Sequence, residues 1–287
     1  MAPRLPLIAL AVSLSIAFSG CAQVPPQATA DGSPEVSPSP SETLEIQAQD
    51  ADILMDRNGL VTATGFATDE ARGVWTERML ALNSALSEVR LGDLAQDWDG
   101  DIAVKLPADA AAFLAKTGKA ADSFAAATAC EAGKSQVYIS PEIPDDDPDG
   151  IAAVLLHESV HVMTNSPCGE PGPQWISEGI AESVTASVYS FVAGENEELV
   201  RAYLADNDVP KTLPDLDAPA GVAGQLGVAL SQYAVNAAIE ELGRDKALKM
   251  LGGLAKQEAV AAAAKPESQK QLKDLTSWYL RLVKGLK

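Results

Sequence analysis

The pentapeptide His157-Glu158-Ser159-Val160-His161 contains both histidines of a 287-residue chain. On a helix, residues four apart share a face and lie about 6 Å apart along the axis. Two imidazoles so placed can both reach one ion at about 2.0–2.1 Å. Glu158 points about 100° around the helix from His157. That offset keeps it off the ion and beside the position left for a water, where a general base has to stand. The plain alternative is a pair of core histidines on an apolar helix. Burying two imidazoles without partners costs stability, and their spacing around a glutamate favours a metal site.

A catalytic zinc site takes three protein ligands and leaves one position for water. The chain has no further histidine, and Cys168 has a prospective partner in Cys130, so a carboxylate has to complete the set. The run "WISEGIAESVTASVYSFVAG", which begins at Trp175 and reads as a second helix, offers Glu178 and Glu182, again four apart. The short loop between the runs, "SPCGEPGPQ", lets the two helices pack against each other.

The pentapeptide followed by Trp175-Ile176-Ser177-Glu178-Gly179-Ile180-Ala181-Glu182 resembles the gluzincin metallopeptidases, and most of all small exported bacterial proteins of the peptidase-MA-like type. The similarity spans about residues 100 to 255. It implies a zincin-like domain that binds one zinc ion through His157, His161 and Glu178 and hydrolyses peptide bonds, with Glu158 as general base. Glu182 would then accept a hydrogen bond from the free ring nitrogen of His157, its alternative being a solvated helix face. The resemblance also implies that strand 135–140 is the edge strand above the metal, to which an extended peptide adds. Two departures from the pattern matter. The Tyr that often follows the glutamate helix motif is replaced by Ser183-Val184, and no downstream histidine exists to steady an oxyanion. Tyr233, on a later helix "QYAVNAAIEELG", is the candidate for that role, ahead of Tyr189. The rival to the enzyme is a zinc-stabilised module that binds a peptide or a cell-envelope component without cutting it.

These residues need a scaffold. Apolar residues at helical spacing (Val74, Met79, Leu82, Leu86, Val89) predict a helix from Thr68 to Val89. "DIAVKLP" alternates as a strand that stops at Pro107, "ADAAAFLAKTGKAADSF" returns to helix, and "KSQVYIS" is a second strand. The turn signal "DRNG" breaks the apolar segments of residues 44–66. "PEIPDDDPDG" lacks the spacing of a calcium loop, and Asp149 within it reads as the cap of the helix that carries the histidines. Helical segments follow the second motif to the end of the chain. The fold class is α+β, mostly α: a zincin-like domain over residues 44–287, with a small N-terminal strand region and C-terminal helices.

The formal charge of −19 argues against nucleic acid as a partner, because phosphates require Lys and Arg. A peptide or protein substrate fits better. Residues 1–21 read as a signal peptide, with an apolar run too short to cross a bilayer comfortably. They end in a lipobox-like Cys21, which would anchor the chain to the membrane by a lipid. Residues 22–43, rich in Pro, Ser and Ala, form a tether. The location is therefore extracytoplasmic and lipid-anchored, with plain secretion as the alternative. Setting Cys21 aside leaves Cys130 and Cys168 to pair in an oxidising compartment.

Overall fold

The computed structural model describes residues 53–56, 60–66, 68–96, 98–143, 147–169, 173–214, 222–255 and 265–287. The signal sequence, Cys21 and the tether lie outside the described residues, as do part of the "DRNG" turn and Asp145 and Asp146 of the acidic run. Strands are β1 (Ile53–Asp56), β2 (Leu60–Thr64), β3 (Asp101–Lys105), β4 (Ala126–Glu131) and β5 (Lys134–Ile139). Helices are α1 (Asp69–Leu86), α2 (Ala110–Thr117), α3 (Pro148–Met163), α4 (Gln174–Val188), α5 (Ser190–Asp206), α6 (Val222–Leu242), α7 (Arg244–Ala255) and α8 (Pro266–Lys284). Helices dominate, so the architecture is α+β and mostly α.

The five strands form one sheet in the order β1-β2-β3-β5-β4. β2, β3 and β5 run parallel, while β1 and β4 are antiparallel to their neighbours. Helices α1 and α3 pack on one face and on each other. Phe113 of α2 covers the other face at β4 and β5, in a small core with Phe124, Ala127, Ala129 and Tyr138. The main core fills the space between the sheet and the helices that follow. There α6 packs against α4, α5, α7 and α8, with Leu155, Ile176, Ala234 and Leu275 fully buried.

Several elements differ from the expectations above. The segment 108–124 is not one helix: α2 ends at Gly118, whose φ of 68° suits a residue without a Cβ. The alanine-rich stretch after it is a strand, β4, which turns into β5 through Ala132 and Gly133, both at positive φ. A two-residue hairpin requires that backbone. Strand 134–139 is therefore interior, hydrogen-bonded to β3 on one side and to β4 on the other. Among the described residues the edge strands are β1 and β4, with β4 beside β5, and the expectation for strand 135–140 is corrected accordingly. Asp147, not Asp149, caps α3: its carboxylate accepts from the Gly150 N–H at 2.9 Å, and Pro148 occupies the first helical position, where its missing N–H costs nothing. On α1 the buried stripe runs through Trp75, Met79, Leu82 and Ala85, while Val74 faces solvent. The long second helix breaks at Tyr189, which separates α4 from α5.

Candidate metal centre

Every residue of α3 from Gly150 to Met163 is buried. The helix lies under the sheet on one side and against α1 and α4 on the others, so its polar residues have no water to turn to. Their partners must come from the protein. α4 supplies most of them. Its approach is helped by Gly179, which faces α6: a Cβ there would sit 2.5 Å from the Ser231 carbonyl oxygen and 2.8 Å from Val235 Cγ2. Close packing at this glycine seats α4, with Glu178 and Glu182 one turn apart along it.

His157 Nε2 lies 3.2 Å from His161 Nε2 and 3.2 Å from Glu178 Oε2, and His161 Nε2 lies 3.5 Å from the same oxygen. The side chains of His157, His161 and Glu178 are 0–1% exposed. Their donor atoms all fall within 4.8 Å of one another, so the cluster could hold a metal ion. The other carboxylate oxygen, Glu178 Oε1, is buried without a hydrogen-bond partner. An unpaired acceptor in a dry site is costly unless a cation or a donor comes to it.

The outer nitrogens are also occupied. His157 Nδ1 meets Glu182 Oε2 at 2.9 Å, and Asn196 Nδ2 donates to Glu182 Oε1 at 2.6 Å. His161 Nδ1 lies 3.0 Å from Ser177 Oγ and 3.2 Å from Ser166 Oγ. Both rings are thereby turned so that their Nε2 atoms face each other.

The electrostatics are those of a site made for positive charge. Burial alone would lower the His157 pKa; hydrogen bonds to Glu178 and Glu182 and their charges override it and push it up to about 10. Burial would raise the Glu178 pKa, but the two histidines hold it down to about 2. In the metal-free protein a proton on His157 therefore occupies the place of a cation.

Glu158 is buried and stands apart from the three donors. Its Oε2 accepts from Thr128 Oγ1 at 2.5 Å, and the same hydroxyl lies 3.1 Å from the Glu158 carbonyl oxygen. Thr128 is on β4, with its side chain toward α3. The Ala125 carbonyl accepts from the Ser140 N–H, so the odd-numbered residues of β4 bond to β5. Alternation then directs the N–H and C=O of Thr128 and Cys130 away from β5. Cys130 is bridged to Cys168, with Cα atoms 5.0 Å apart. That bridge ties the edge strand to the loop that carries Ser166.

The structure thus brings His157, His161, Glu178 and Glu182 together, with Glu158 on the same helix but bonded to Thr128. It does not bring Tyr233 to them. The charges around Tyr233 are Glu197 and Arg201 on α5, while its neighbour Gln232 faces Asn196. The hydroxyl makes no hydrogen bond into the cluster, and Tyr233 packs against the main core. Tyr189 sits at the helix break, where Asp149 and Glu88 are its charged neighbours. Residues that the sequence reading missed are Thr128, Ser166, Ser177, Asn196 and Gln232. Polar residues on a helix or strand read as solvent-facing, and nothing local marks these as buried. The chain matches no family model, no curated protein and no solved structure.

Proposed function

We propose that this protein is a zinc metallopeptidase of the gluzincin type, with His157, His161 and Glu178 as the ligands and Glu158 as the general base. The observation that carries the reading is the set of separations between the three donor atoms. Ligands at about 2.0–2.2 Å in tetrahedral array around zinc stand about 3.3 Å apart, and the observed values are 3.2, 3.2 and 3.5 Å. Zinc bound there supplies Lewis acidity toward a carbonyl and acidifies a water at the remaining position.

The chain's own residues would do the rest. Glu158 is one residue beyond His157 and outside the ligand set, so its carboxylate is free to take a proton and return it to a leaving amine. Thr128 fixes one of its oxygens, which leaves the other to face the reacting atoms. The Cys130–Cys168 bridge fits an oxidising, extracytoplasmic compartment, consistent with a lipid-anchored protein tethered through Cys21.

One observation favours the rival, a metal-stabilised binding module: His157, His161, Glu178 and Glu158 are all 0–1% exposed. The two readings part on Glu158, since a purely structural metal has no use for a carboxylate beside it. The test is cleavage of a broad peptide set by the zinc-loaded protein and by Glu158→Gln. The wild type cuts and the variant keeps its zinc while losing about 10²–10⁴ in rate. A zinc-loaded wild type that cuts nothing establishes the binding module, and full activity in Glu158→Gln removes the hydrolytic mechanism.

A further inference from the structure

Beyond the ligands runs a chain of buried polar groups that spans four helices. His157 on α3 meets Glu182 on α4, Glu182 meets Asn196 on α5, and Asn196 meets Gln232 on α6. Exposures along it are 0%, 0%, 7% and 3%. We propose that Asn196 and Gln232 are positioning residues for the metal ligand His157, acting through Glu182. The inference rests on the metal reading above and extends it two residues outward.

The Asn196 amide nitrogen carries two hydrogens. One goes to Glu182 Oε1 at 2.6 Å and the other to Gln232 Oε1 at 2.9 Å. Turning the amide over would set its oxygen against the Glu182 carboxylate, which can only accept, so Glu182 fixes which way Asn196 points and Gln232 takes up its second hydrogen. Asn196 in turn engages one oxygen of Glu182 and leaves the other, Oε2, to accept from His157 Nδ1. A charge-assisted bond of this kind is about twice as strong as a neutral one. With Nδ1 held as the donor, the lone pair of a neutral His157 lies on Nε2, the atom that faces His161 and Glu178. His161 has no such device. Its Nδ1 faces the hydroxyls of Ser166 and Ser177, and a hydroxyl donates or accepts equally well. The relay therefore selects the tautomer of one ligand only, and its two outer members stand on helices that carry no ligand.

A structural role for these amides would also cost stability when they are lost, so the test needs a control in the same packing. Ser183 Oγ donates to Asn236 Oδ1 at 2.7 Å and joins α4 to α6 off the relay. Zinc dissociation constants are measured by competition with a chelator for the wild type, Asn196→Leu, Gln232→Leu and Ser183→Ala. In parallel, the ring N–H signals of zinc-loaded, ¹⁵N-labelled protein are recorded; two histidines make that spectrum simple to assign. Asn196→Leu is expected to weaken zinc about tenfold or more, the low end for loss of an outer partner. Its His157 Nδ1–H signal moves upfield and exchanges faster. Gln232→Leu shifts both readouts in the same direction by less, and it carries the test if Asn196→Leu does not fold. Ser183→Ala changes neither. Zinc affinity and the Nδ1–H signal indistinguishable from wild type in both relay variants overturn the proposal, as does an equal loss in Ser183→Ala. A wild type that binds no zinc fails the metal reading itself, a result distinct from either.

Discussion

Helices α3 and α8 are of similar length and both contribute to the main core, yet they are built on opposite plans. α8 buries Ser268, Leu275, Tyr279 and Val283, packs Leu272, Trp278, Leu280 and Leu282 partly against the core and leaves most of its polar residues to solvent. Its apolar residues lie along one stripe, as expected of a helix at the protein surface. α3 is buried all round from Gly150 to Met163, and His157, Glu158, Ser159 and His161 lie in that dry stretch. Packing accounts for α8 apart from the Tyr279 hydroxyl, which is buried without a hydrogen-bond partner. It does not explain α3, where four buried polar side chains replace apolar ones of equal use to the core. Ser159 bonds back to the Leu155 carbonyl of its own helix. The other three depend on side chains from β4, α4 and the loop after α3. A buried polar cluster satisfied from three elements, with one carboxylate oxygen still unpaired, is arranged for a ligand rather than for stability.

The contrast can be sharpened by mutating each helix and reading both stability and metal. Leu275 is fully buried, so Leu275→Ala should cost about 2–5 kcal/mol of stability. Zinc affinity of the folded protein should stay at the wild-type value, as denaturation followed by chelator competition would show. A loss of zinc in that variant would mean that the two helices are not separable as described.

A second difference lies in the proton that α3 carries. Zinc requires the lone pair of His157, whose pKa in the metal-free protein is pushed up to about 10 by Glu178 and Glu182 against the opposing effect of burial. Glu178, held at about 2, stays ionised throughout the neutral range. Binding must therefore release the His157 proton at any pH below about 10, and each unit below that weakens zinc about tenfold. Between pH 8 and pH 6 the affinity should fall by at least about a hundredfold. Calorimetry in buffers of different ionisation heat would show the released proton, and zinc affinity flat over that range would exclude it.

The smallest expected effect concerns the edge strand. Thr128→Val keeps the shape of the side chain but removes the hydroxyl that holds Glu158 Oε2. On the peptidase reading the rate should fall about tenfold, the scale of 1.4 kcal/mol for one lost hydrogen bond to a charged group. KM and zinc content should be unchanged, and Thr128→Ser should restore the rate. A fall that Thr128→Ser shares would place the role of Thr128 in packing.

What could be read from the sequence follows the range of the interactions involved. The histidines and glutamates of α3 and α4 were legible because spacing within a helix is local and fixes a shared face. The start and end of α3 were legible to within a few residues, although its cap moved from Asp149 to Asp147 because Pro148 fills the first helical position. β4 was not legible: "AAATACE" has little strand propensity, and it becomes a strand through the positive-φ turn at Ala132 and Gly133 and its pairing with β5. Strand order is non-local too, which is why strand 134–139 proved interior and the edge position beside it fell to β4. The same holds for Asn196 and Gln232, whose partners are 14 and 36 residues away along the chain. Tyr233 has Glu197 and Arg201 as its charged neighbours; one residue along α6 turns a side chain by about 100°, and it is Gln232 that faces the relay.

Whether the three donor atoms gathered between α3 and α4 hold a zinc ion is decided by elemental analysis of the purified protein, with and without His161→Ala. One zinc per chain is expected in the wild type and no tightly held zinc in the variant, with the fold retained by circular dichroism. A wild type that takes up no zinc, or a variant that holds a full equivalent, would contradict it.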